Sequence, residues 1–376
     1  MFRRLVSLEE AKKILQRNFP AKPVGIEEVS LPEAHGRVLA EDIAAPINVP
    51  SFSRSTVDGY AVKSEDTFGA EEDNPTPLKL LGSVQMGKHP SIIVEKGGAV
   101  EIATGAPLPE GADAVVMLEH VVKDGSNLLV YRSVVKEENV MKGGFDIRKG
   151  ETVLKKAWVL RACEIGVLAA LGITRVKVFK PPKVAVFSTG PEIVKPGKPL
   201  PPGKIYDINA YSLSVAVSEC GGTPVNLGIV PDNTEQLKTK LRNALDSADA
   251  VVTSGGVSVG SKDVMPKVLN TLGNSRIIVC GIAVKPGKPT TFAVVDGKPV
   301  FSLPGNPTSS LLIFHILVRP IISRMAGRAT MLARKVMAVI TTRIFSARGR
   351  RTFIMVSLDR DKAGRLLASP VPTGLS

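Results

Sequence analysis

The stretch S-G-G-V-S-V-G-S-K-D (254–263) packs three glycines and three serines ahead of a lysine and an aspartate. Such glycines let backbone N–H groups approach an anion, and a helix start beside them adds partial positive charge. The chemistry this suits is binding of a phosphate-bearing ligand with a metal ion nearby; the bland alternative is a tight turn. Ser254, Gly255, Gly256, Ser258 and Gly260 would form the cradle. Asp263 at the helix entrance reads alone as an N-cap. Beside a phosphate it reads as a Mg²⁺ ligand, because a hard cation bound with phosphates takes one or two carboxylates.

Three further loops carry comparable residues. F-S-T-G-P-E (187–192) ends on Glu192. In V-K-P-G-K-P (284–289), Lys285 and Lys288 flank Pro-Gly on one compact loop. Two cations that close favour a polyanion over the commoner solvated turn, although K-P-G-K also occurs at 195–198. In L-P-G-N-P-T-S (303–309), Pro304, Gly305 and Asn306 run into a helix that Thr308 or Ser309 can cap. That loop is either pure architecture or an anion-binding helix start. In S-T-V-D-G-Y-A, Asp58-Gly59 reads as a turn before a strand. The four histidines, His35, His89, His120 and His315, show no metal-ligand spacing.

The elements that must position these loops are legible as periodic patterns. K-V-A-V-F-S (183–188), A-D-A-V-V-T-S (248–254) and K-P-V-F-S-L (298–303) are short, nearly continuous apolar runs. Helical segments at 211–222, 234–245 and 264–273 alternate with them. Buried strands alternating with helices predict a parallel-type sheet covered on both faces, a three-layer α/β domain at 176–326. Ligands of such sheets sit beyond the carboxyl ends of the strands, where all four loops lie. Residues 46–148 read as a β-rich insert, with strands near 78–84, 99–104, 112–118 and 127–132. An amphipathic helix at 7–18 carries the N-cap pattern Ser7…Glu10, and the helical pattern in 151–172 ends at Gly172. The arginine-rich tail, 327–376, reads as a small β piece.

Composition narrows the class. With 376 residues the chain exceeds one ordinary core, and 22% charged residues is ordinary globular usage. Cys163, Cys220 and Cys280 have no metal-ligand spacing and read as buried free thiols in a reducing cytoplasm. No stretch predicts a signal peptide or a membrane span. The net charge of +14 fits a nucleic-acid surface, steering of small polyanions, or a generic lysine-rich surface. One Trp, four Tyr and no basic-aromatic interleaving disfavour the first.

In order along the chain, S-T-V-D-G-Y-A, A-T-G-A-P-L-P-E-G-A-D-A-V-V-M, F-D-I-R-K-G, F-S-T-G-P-E-I, G-K-I-Y-D-I-N, S-G-G-V-S-V-G-S-K-D, K-P-G-K-P and L-P-G-N-P-T-S resemble the MoeA-type molybdopterin molybdenumtransferases, a family to which the large domain of gephyrin is similar. The resemblance runs from about residue 5 to beyond 330. It implies a homodimer of four-domain subunits with the active site shared between copies, while the lack of any predicted signal peptide or membrane span predicts a cytoplasmic protein. The domains would be an elongated linker domain (1–45 plus 149–175), the β-rich insert (46–148), the α/β molybdopterin-binding domain (176–326) and a C-terminal β domain (327–376). The last is expected to be truncated, since family members usually continue for several strands past P-V-P-T-G-L-S. The implied reaction inserts molybdate or tungstate into adenylylated molybdopterin with release of AMP and a need for Mg²⁺.

The resemblance places Asp58 and Thr104 in the insert and Glu192, Asp232, Asp263, Lys285 and Lys288 in the α/β domain. Asp58, Glu192 and Asp263 would be catalytic, and Glu192, Asp232 and Asp263 would hold the metal. Thr104 and the lysines would bind substrate. Met141 and Pro231 stand where the family usually has arginine. The expected partners are a second copy and, transiently, the molybdopterin adenylyltransferase, with no nucleic acid and no membrane. The alternatives are that adenylyltransferase activity itself or a non-catalytic gephyrin-like scaffold.

Overall fold

A computed structural model describes residues 5–256, 264–329, 335–346 and 348–371. The chain divides into two compact units. One comprises Met1–Glu41, Lys156–Arg161 and Arg175–Ser376; the other comprises Asp42–Lys155 and Ala162–Thr174.

The first unit is built on six strands: β1 (Lys183–Thr189), β2 (Thr223–Val230), β3 (Ala250–Ser254), β4 (Ser275–Cys280), β5 (Thr291–Val295) and β6 (Lys298–Leu303). They lie in the order β2-β1-β3-β6-β5-β4. The first four are mutually parallel, and β5 and β4 pair antiparallel. The sheet is therefore mixed, which corrects the parallel-type expectation. The cause is local: Asp296 (φ 48°) and Gly297 (φ 79°) take left-handed backbone between β5 and β6, the two-residue hairpin chemistry that Asp-Gly favours.

Four helices alternate with these strands: α1 (Asn209–Glu219), α2 (Thr234–Ser247), α3 (Met265–Leu269) and α4 (Pro307–Ile313). Strand alternation sends Val184 and Val186 of β1 to one face, with Leu213 of α1, Ile313 of α4 and Leu8, Ala11 and Leu15 of the N-terminal helix. Ala185 and Phe187 go to the other face, with Leu237 and Leu241 of α2 and Met265 of α3. Both faces are covered, so this part of the chain has three layers. The N-terminal helix, Leu8–Asn18, is capped by Ser7, whose Oγ accepts the Glu10 N–H at 3.1 Å.

The main sheet of the second unit has six strands in the spatial order 114–117, 59–62, 98–102, 76–84, 127–130, 121–124. Tyr60 and Val62 pack on one face with Leu78, Val116 and Leu128, and Ala61 packs on the other with Val100, Ile102 and Val115. The helix Ala162–Ala170 ends as anticipated: Gly172 has φ 72°, and the Ile173 N–H reaches back to the Leu168 carbonyl at 3.0 Å.

Cys220 alone of the cysteines is buried; Cys163 is exposed and Cys280 half-buried, which corrects the buried-thiol expectation. The helical register of Ala162–Ala170 turns Cys163 outward and buries Leu168. Among the described residues, no helix is long and apolar enough to cross a membrane.

Candidate active site

The strand order 2-1-3 places a topological switch point between β1 and β3: the chain leaves β1 on one side to form β2, then crosses back to form β3 on the other. Open α/β sheets bind ligands in the crevice beyond the carboxyl ends of two such strands. Here those ends are Thr189-Gly190 and Ser254-Gly255.

Gly255 explains part of the glycine requirement. A Cβ there would stand 2.0 Å from the Thr189 carbonyl oxygen, and its φ is 94°. Its N–H donates to the Leu303 carbonyl at 3.1 Å. Gly255 therefore gives space, not an amide, and the loop's anion-facing amides start no earlier than Gly256. Gly256 (φ 67°) faces Asp232; a Cβ there would lie 3.8 Å from Asp232 Oδ1. Ser258, Gly260 and Asp263 lie outside the described residues.

Two exposed carboxylates stand at the same crevice. The Glu192 carboxylate folds back over Gly190, where a Cβ would meet both of its oxygens at 2.8 Å. Asp232 accepts a hydrogen bond from Thr189 Oγ1. Next to it, Asn233 caps α2 by accepting the Glu235 and Gln236 N–H groups at 3.0 and 3.2 Å. Among the described residues there is no group of three or more His, Cys, Asp or Glu side chains fit to hold a metal on its own. Two exposed carboxylates do suit Mg²⁺, which keeps several waters and completes its shell with substrate phosphates.

The β6 loop joins this crevice through side chains. Ser254, buried, donates from Oγ to the Pro304 carbonyl at 3.0 Å. Asn306, not Thr308 or Ser309, caps α4: its Oδ1 accepts from Ser309 N–H at 3.1 Å and from Ser309 Oγ at 3.2 Å. Pro307 follows as the first helical residue, so the side chain that can reach back over the open N–H groups is the one before it. Any ligand contact from Asn306 must come from the rest of its amide.

Lys285 and Lys288 are half-buried. Their loop is braced by the Thr290 hydroxyl, which donates to the Gly287 carbonyl at 2.7 Å. Lys285, Pro307, Thr308 and Arg343 line one cavity of about 810 Å³, so the lysine loop and the α4 start share a wall. Arg343 escaped the sequence reading because its place depends on the packing of distant segments.

In the second unit, Asp58 and Thr104 form an exposed pair. The Asp58 carboxylate accepts the Thr104 N–H at 2.7 Å and its hydroxyl at 2.9 Å. These bonds, the backbone one first, hold the Asp58 carboxyl below the usual aspartate range. The chain bends at 56–58 as expected, but Gly59 itself is already in the strand. It opens strand 59–62, where a Cβ would stand 1.9 Å from the Val116 carbonyl oxygen.

A family model described as "MoeA N-terminal region (domain I and II)" matches residues 6–172. Another, described as "Probable molybdopterin binding domain", matches residues 185–324. The chain is 37% identical over 325 residues to a molybdopterin molybdenumtransferase of Haemophilus influenzae, covering 86% of this chain and 78% of that protein. It is 32% identical over 371 residues to molybdopterin molybdenumtransferase 2 of Mycobacterium tuberculosis, covering 97% and 91%. Among solved structures, a molybdopterin biosynthesis MoeA protein from Pyrococcus horikosii is similar with a TM-score of 0.87 and 44% identity, covering 99% of this chain and 90% of that one.

Proposed function

The chain belongs to the MoeA family, and on that premise we propose that it is a molybdopterin molybdenumtransferase of molybdenum cofactor biosynthesis, inserting molybdate or tungstate into adenylylated molybdopterin and releasing AMP. The observation that carries this reading is the crevice between β1 and β3. Gly255 lets the two strand ends close up, two exposed carboxylates stand at its edge, and a half-buried lysine loop lies against the neighbouring helix start. A substrate with a pyrophosphate and a dianionic co-substrate need that combination. The family match over 6–172 favours this reading over the adenylyltransferase, and the retained carboxylates favour it over a scaffold.

In this reading Gly256, Ser258 and Gly260 face the pyrophosphate, and Pro304, Gly305 and Asn306 bound it from the β6 side. Lys285 and Lys288 hold molybdate or phosphate by charge. Glu192, Asp232 and Asp263 would hold Mg²⁺, which when bound supplies charge neutralisation at the pyrophosphate. Asp58, kept ionised by Thr104, acts from a second copy of the chain. The four-domain division, the shared site of a homodimer, the cytoplasmic setting and a transient contact with the adenylyltransferase belong to the same reading.

The test is AMP release from adenylylated molybdopterin with Mg²⁺, with and without molybdate and then tungstate. Oxyanion-dependent release is expected, and Asp263→Asn should abolish it. Absence of release by the folded wild-type protein would contradict the assignment.

A further inference from the structure

The segment G-K-I-Y-D-I-N (203–209) ends in two polar side chains with no task so far, and both are buried. Asp207 Oδ1 accepts from Ser188 Oγ at 2.8 Å and from the Ala210 N–H at 3.0 Å, tying the first turn of α1 to the end of β1. Asn209 reaches the other way. Its Nδ2 donates to Ser254 Oγ at 2.7 Å and to the Gly305 carbonyl at 2.7 Å. A carbonyl only accepts, so the amide nitrogen must face Gly305, and the orientation of the amide follows from its partners. The Ser254 hydroxyl in turn donates to the Pro304 carbonyl. Asn209 Oδ1 is buried with no hydrogen-bond partner among the described residues, so the amide acts through Nδ2. One side chain at the start of α1 thus bridges the carboxyl end of β3 and the turn after β6. These bonds run from the helix start to a strand end and a loop, outside the apolar layers that hold the sheet together.

We propose that Asn209 is a positioning residue that holds the Ser254-Gly255-Gly256 turn and the Pro304-Gly305-Asn306 turn at the spacing in which both face one bound pyrophosphate. This rests on the functional reading above. Asn209 acts through Ser254 and Gly305, and its own amide does not touch the reacting atoms. Aspartate at this position matches the size of asparagine but has no donor for Gly305 and sets a negative charge against that carbonyl. Alanine removes both bonds.

The experiment uses the full chain with Asn209→Ala and Asn209→Asp, read in two ways. In AMP release, each variant should raise KM for adenylylated molybdopterin roughly 10- to 100-fold, while KM for molybdate stays within about twofold. In amide hydrogen exchange, the Gly255 N–H and the Ser309 N–H should exchange faster than in wild type, with the last turn of α1 unchanged. A KM for adenylylated molybdopterin within about twofold of wild type, or unaltered exchange at both turns, overturns the proposal. If wild type itself releases no AMP, the functional reading fails and exchange alone decides whether Asn209 ties the turns. Should Asn209→Ala not fold, Asn209→Ser, which removes the amide with a smaller change in polarity, carries the same measurements, and the same results support or overturn the proposal.

Discussion

At the residue scale, the site depends on side chains that are absent as much as on those present. Gly255→Ala would drive a Cβ into the Thr189 carbonyl and hold a left-handed φ. It should cost more than about 1 kcal/mol in urea unfolding and remove AMP release; wild-type stability would show that the strand ends need no such approach. The Asp58–Thr104 pair predicts a pH effect. A carboxyl held below its ordinary range adds stability above its unfolded pKa, and that contribution is lost as pH falls through the lower, folded value. Thr104→Val keeps the N–H bond and removes the hydroxyl bond. Carboxyl NMR should then show the Asp58 pKa rising while staying below the ordinary aspartate value, and a fall would refute the pairing. Family resemblance singles out both residues in the sequence but does not show that they touch. They are 46 positions apart, and Asp-Gly on its own spells a turn. Only the pairing of strands 59–62 and 98–102 brings them together. Asn209 is hidden in the sequence for a related reason: its bonds go to residues 45 and 96 positions away.

At the element scale, apolar runs carry most of the signal. β1, β3 and β6 are legible because both faces are covered, so the period-two signal collapses into continuous hydrophobicity. β2 is not, because Pro224 and Gly228 interrupt its pattern. Its place explains both residues. Among the described residues it pairs only with β1, at the sheet edge, where a proline is tolerated, and Gly228 (φ 75°) falls where the register shifts. The α4 cap lies earlier than the sequence suggests, since Thr308 and Ser309 are cap-forming types and only geometry shows Asn306 in that role. Asn306→Ala should cost about 0.5–2 kcal/mol, seen as a lower urea midpoint, whereas Thr308→Ala should leave the cap intact. Phe187, fully buried between β1 and α2, should cost about 3–5 kcal/mol as Phe187→Ala. A loss under about 1 kcal/mol would mean that this layer does not pack as described.

At the scale of the whole molecule, the proposed reading takes Asp58 and Glu192 from different copies of the chain. Mixing Asp58→Asn with Glu192→Gln protein should then regenerate one intact site in each mixed dimer, about a quarter of wild-type activity after random exchange. No recovery would place both residues in one copy or show that the dimer does not share its site. The net charge of +14 also finds a use here. Steering of polyanions predicts that kcat/KM for adenylylated molybdopterin falls as salt rises through the Debye range; salt-independent turnover would leave the charge as surface only. The most direct measurement is an electron-density map of the protein soaked with adenylylated molybdopterin. The account predicts pyrophosphate density between Thr189-Gly190 and Gly256, at the switch point of the sheet. A pyrophosphate ordered anywhere else, with that crevice filled only by solvent, would contradict it.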